Sequence, residues 1–169
     1  MRLDPKLNYL CDLAARVNRR TKSSMIEAAL ATTLHHVLID PRPTEPPGPT
    51  IAQLAEELWH IDDVERLRRL ARIAPHLMSY EEQKIWSVIA NEAFFWFGQW
   101  TDLDQSTQYF AYGADPNRLW VERVREYWPL IQRVATGEAE VAALPHMDRV
   151  RPTPPKPLLP GQLPMRRGV

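Results

Sequence analysis

Cysteine is almost absent from this sequence: Cys11 stands alone among 169 residues. A single thiol excludes an intrachain disulfide framework and a cysteine-based zinc site, and it suits a reducing compartment, so a cytoplasmic location is expected. Long apolar runs are missing too. None approaches the ~20 residues that span a bilayer, and no charged-then-apolar signal pattern opens the chain, so no membrane partner is expected. Strand-like alternation, a G-x-S-x-G elbow, a phosphate-binding loop and a dinucleotide fingerprint are likewise missing. With them goes any positive sign of an enzyme, a bound cofactor or a metal.

Net charge is absent as well, 21 basic groups against 21 acidic, but the zero is assembled from unlike parts. Residues 1–40 carry six basic and four acidic groups, with every basic one before position 23. Residues 51–144 carry nine basic and fifteen acidic, and residues 145–169 carry five basic and one acidic. Basic ends flank an acidic middle, which suits either an anionic partner at the ends or attraction between tail and body.

What is present is 44% hydrophobic residues with six Trp, ample for a packed core, and prolines that mark boundaries. The stretch DPRPTEPPGPT, residues 40–50, holds five prolines and a glycine and reads as an extended linker. Residues 145–169 hold seven more prolines and read as a basic extended tail. Between these breaks the apolar spacing is helical. Asp4-Pro5 caps a first helix with Leu7, Leu10, Ala14 and Val17 on one face. Ser24 with Glu27 spells a capping box for a second, carrying Ile26, Ala29, Leu30, Leu34, Val37 and Leu38. Further helix starts are read at Thr50/Gln53, at Asp62 or Asp63, and at Ser79/Glu82, the last running on through FFWF toward Trp100. Another helix is expected near 104–112, and one after Asp115-Pro116 that Pro129 must kink or break before Gly137. The expected fold class is therefore all-α: an N-terminal helix pair at 1–39, the linker at 40–50, a Trp-rich helical domain at 51–144, and the tail.

RLDPKLNYLCDLAARVNRRTKSSMIEAAL resembles the ribbon-helix-helix DNA-binding family over about residues 1–38. A short strand ends in RLDP, a first helix has leucine spacing, and Ser/Thr residues open a second helix that closes with EAAL. The resemblance implies a dimer whose paired strands read the major groove while the start of the second helix holds a phosphate, and hence a role in transcription regulation. Carried onto this chain, it makes Arg2 a base contact and Arg19, Arg20, Thr21, Lys22, Ser23 and Ser24 the phosphate grip. The last part has an independent physical basis, because unpaired N–H groups and the positive dipole end of a helix favour an anion. With no glycine in the turn, Asn18 is the candidate for a left-handed conformation.

Other constellations have plainer readings. The aromatic series from Trp59 to Trp128 could stack single-stranded bases, but it lies in the net-acidic body and reads chiefly as core, with some rings left for a protein partner. Glu57-x-x-His60 has a metal-ligand spacing without the second pair that a di-iron bundle needs. Arg151, Pro154 and Pro157 form the R-x-x-P-x-x-P pattern of a polyproline ligand for a protein partner. The leading reading is a non-enzymatic regulatory or accessory protein gripping duplex DNA; the alternatives are a helical adaptor whose helices, aromatic body and tail dock on protein and, third, an enzyme of unknown type.

Overall fold

The structure, a computed structural model, describes residues 3–43, 45–104 and 106–152. They form seven α-helices, four 3₁₀ turns and one three-stranded antiparallel sheet. The all-α expectation is thereby corrected to a mixed α/β fold. The chain divides into two compact units, one ending at Leu77 and the other beginning at Met78.

The first unit opens with α1 (Pro5–Val17) and α2 (Lys22–Leu34). Asp4 caps α1 as its sequence indicates, its Oδ1 accepting from Lys6 N–H at 3.0 Å and Leu7 N–H at 3.3 Å. The second cap is Thr21 rather than Ser24, with Thr21 Oγ1 accepting from the N–H of Ser24 at 3.2 Å. Helix α2 also ends four residues before the expected Leu38. The proline-rich stretch folds back on itself within this unit. Ile39 N–H donates to Pro49 at 3.0 Å and Ile51 N–H to Val37 at 2.9 Å, bracketing a bridge between Leu38 and Thr50. Within it the Arg42 guanidinium holds the Asp40 carboxyl down to about 2. Thr50 and Gln53 exchange their reciprocal bonds at 2.8 and 3.2 Å, yet only the single turn α3 (Ala55–Leu58) follows. Asp62 caps α4 (Asp63–Ile73), whose Val64, Leu67 and Ala71 are buried.

The second unit begins with α5 (Tyr80–Asn91), and the capping box of Ser79 and Glu82 is complete. This helix does not continue through FFWF. Glu92 turns to extended backbone (φ −105°, ψ 113°), its carboxylate accepts from Phe94 N–H, and a 3₁₀ turn at Ala93–Phe95 delivers Phe95 and Trp96 to the core, 0% and 1% exposed. Trp96 satisfies its indole by donating to the Ile89 carbonyl at 2.8 Å, as a buried Trp must. Next come β1 (Gln99–Asp102) and β2 (Thr107–Ala111), paired antiparallel where a helix near 104–112 was expected. A turn joins them, in which Asp104 Oδ1 accepts from the N–H and hydroxyl of Ser106 at 2.7 and 2.9 Å. Those two bonds hold the Asp104 carboxyl below the ordinary carboxylate range.

Asp115 caps the 3₁₀ turn at Pro116–Arg118, and α6 (Val121–Glu126) and α7 (Trp128–Thr136) follow. The helical run breaks at Tyr127, the second of the two outcomes expected of Pro129, which sits in the first turn of α7, where a missing N–H costs no helical bond. Gly137 ends α7 at φ 81°. The last described strand, β3 (Val150–Pro152), pairs with β2 and lies inside the segment expected to be an extended tail. The sheet order is β1-β2-β3.

Candidate nucleic-acid interface

The turn between α1 and α2 is a Schellman ending. Arg19 N–H donates to the Arg16 carbonyl at 3.1 Å and Arg20 N–H to the Ala15 carbonyl at 2.9 Å. The geometry demands a left-handed residue just past the cap, a place usually held by glycine. Here it is Arg19, at φ 51°. Asn18, the expected left-handed residue, sits instead at φ −86° and uses its side chain to donate to the Ala14 carbonyl at 2.8 Å.

The structure separates the expected grip residues into two groups. Arg19 and Arg20 are exposed, as is Arg16 before them, and none has a carboxylate partner among the described residues. Lys22 is turned inward onto α1, with Nζ 3.1 Å from the Asp12 carboxylate and bonded to Asn8. It fastens the start of α2 to α1, an anchorage that no local pattern announces because its partners lie ten and fourteen residues away in the chain. Thr21 spends its hydroxyl as the cap and Ser24 its N–H on Thr21. The N–H groups of Lys22 and Ser23 have no intramolecular acceptor among the described residues. The turn therefore presents three cations and two donors at the positive end of α2.

On its flank, α1 and α2 enclose an open apolar groove of about 460 Å³, lined among others by Leu7, Leu10, Cys11, Met25, Ile26 and Leu30. Leu7 and Leu10 are 49% exposed and Leu30 57%. Such leucines on an otherwise well-capped hairpin mark a face whose burial is incomplete.

Arg2, Pro154 and Pro157 lie outside the described residues. Arg151 sits in β3, its guanidinium 3.9 Å from the Trp100 ring centre and bonded to Gln108 at 3.3 and 3.4 Å. Glu57 lies 3.7 Å from Arg72, while His60 Nδ1 accepts from Asp62 N–H at 3.0 Å, so the two engage different partners. No helix among the described residues is long and apolar enough to cross a membrane. Comparison with protein-family models, curated proteins and solved structures yields no match.

Proposed function

We propose that this chain is a non-enzymatic DNA-binding protein of regulatory or accessory role, which holds duplex phosphates on the turn joining α1 and α2. The observation that carries the reading is Arg19. A long, charged residue occupies a left-handed position that costs about 1–2 kcal/mol relative to glycine, at an exposed turn beside Arg16, Arg20 and two free backbone donors. Backbone strain retained beside uncompensated charge supports a side chain kept for contact. The apolar groove beside it supports the companion expectation of a homodimer, since a second copy of the hairpin would cover the half-exposed leucines.

The test is fluorescence anisotropy of the purified chain with a random-sequence duplex across a salt series. Replacing Arg19 and Arg20 by Ala is expected to weaken binding to all sequences and to reduce the salt slope by about 0.9 for each phosphate no longer neutralised. Lys22→Ala is expected to act less on the slope, because its charge is spent on Asp12. A wild type that does not bind at low salt overturns the reading and leaves the adaptor, with the same groove taking a different protein's helix.

A further inference from the structure

The pleat of the sheet gathers Trp100 of β1, Phe110 of β2 and Tyr112 just beyond it on one face, with Arg151 of the third strand and Arg149 just before that strand, opposite Phe110, on the same side. The ring contacts agree with that register. Trp100 and Phe110 meet across the strands at 5.5 Å between centres, and Phe110 and Tyr112 stack at 6.2 Å and 26°. Phe110 reaches this place because Gly98 has no side chain: a Cβ there would overlap its ring. The Arg151 guanidinium covers Trp100 at 3.9 Å and that of Arg149 lies 5.0 Å from the Tyr112 ring. All three rings remain half-buried while both arginines are exposed.

The arginines are not explained by ion pairing. Arg149 donates to the Asn91 carbonyl at 2.7 Å and Arg151 to the amide oxygen of Gln108, and neither meets a carboxylate among the described residues. Asp102, the acidic group on this face, accepts from the Gln108 amide at 2.8 Å. A row of rings overlaid by two guanidinium groups that meet no carboxylate among the described residues is chemistry suited to an unpaired nucleotide strand. Bases stack on rings and on guanidinium planes, and the guanidinium N–H groups reach the phosphates.

We infer that this sheet face binds single-stranded nucleic acid. The inference rests on the second unit alone and is independent of duplex binding by the first.

The experiment titrates the full chain into short fluorescein-labelled oligothymidylate and oligouridylate, reading anisotropy and tryptophan quenching in a salt series. Binding of either strand with quenching is expected. Trp100→Ala should weaken it about tenfold or more, and Arg149→Gln with Arg151→Gln should lower the salt slope by about 0.7 for each phosphate no longer neutralised. The arginine variant alters exposed side chains, so a wild-type melting curve guards against mistaking unfolding for weakened recognition. Arg19→Ala with Arg20→Ala should leave oligonucleotide binding unchanged. Absence of binding at low salt, binding that the folded arginine variant retains in full, or equal competition by polyglutamate would each overturn the proposal.

Discussion

Arg19 shows how one residue carries both a backbone requirement and a chemical one. The Schellman bonds of Arg19 and Arg20 exist only if the residue past the cap turns left-handed, and any L side chain resists that turn. Arg19→Gly is therefore expected to raise stability by about 0.5–1 kcal/mol, the relief of strain being partly offset by glycine's greater freedom in the unfolded chain. The same change should weaken duplex binding. Denaturant midpoint and anisotropy on one preparation check both, and a variant neither more stable nor weaker in binding would remove Arg19 from the site. Among single residues the sequence was informative about types and less so about places. It identified the basic turn, but Thr21, Ser23 and Ser24 can each cap a helix, and the geometry of the preceding turn chose Thr21. Asp12 and Asn8 draw Lys22 away from solvent, an interaction between helices that residue type cannot reveal.

Among the elements, caps were legible and strands were not. Asp4, Asp62, Ser79 and Asp115 cap through oxygens within three residues of the N–H groups they bind, so a short window contains the whole interaction. The sheet has no such window. Tyr109 and Phe110 are adjacent aromatics on opposite faces, which erases the alternation expected of a one-sided strand, and Arg151 of β3 pairs 43 residues downstream of Gln108. The turn chemistry of Asp104 and Ser106 was the available local hint. The close approach of β2 to Gly98 gives a sharp prediction for Gly98→Ala. The new methyl would meet both the Phe110 ring and the Ala111 carbonyl oxygen, at 2.6 Å from the latter, where backbone cannot easily give way. A loss of about 1–3 kcal/mol is expected, the range for overpacking. Faster amide exchange in β2 than in α7 should accompany it. An unchanged midpoint would show that the strands can part without cost.

For the molecule as a whole, the proposed homodimer rests on the apolar face of α1 and α2. If two copies cover each other's leucines, Leu10→Glu and Leu30→Glu should each shift sedimentation toward the monomer at micromolar concentration. Each should also weaken duplex binding more than its own charge explains, because two linked grips gain from effective concentration. A wild type already monomeric at high concentration would refute the homodimer and return the groove to a different partner. The acidic middle seen in the charge count does not forbid nucleic acid in the second unit. Charge sums over a segment say nothing of which face each group occupies, and the face carrying Trp100 and Tyr112 holds Arg149 and Arg151.

Local chemistry along the chain was enough to set the starts of α1, α4 and α5, the break near Pro129, the left-handed stop at Gly137, and the basic turn after α1. Each depends on atoms a few bonds apart, whose preferences hold in any context. Long-range packing instead settled that FFWF leaves the helix, that 99–111 is a hairpin, that β3 completes its sheet, and that Lys22 binds inward while Arg19 and Arg20 face out. Those outcomes depend on partners distant in the chain. There, burial of Phe95 and Trp96 and the pairing of β2 with both neighbours outweigh local propensities of a few tenths of a kcal/mol per residue.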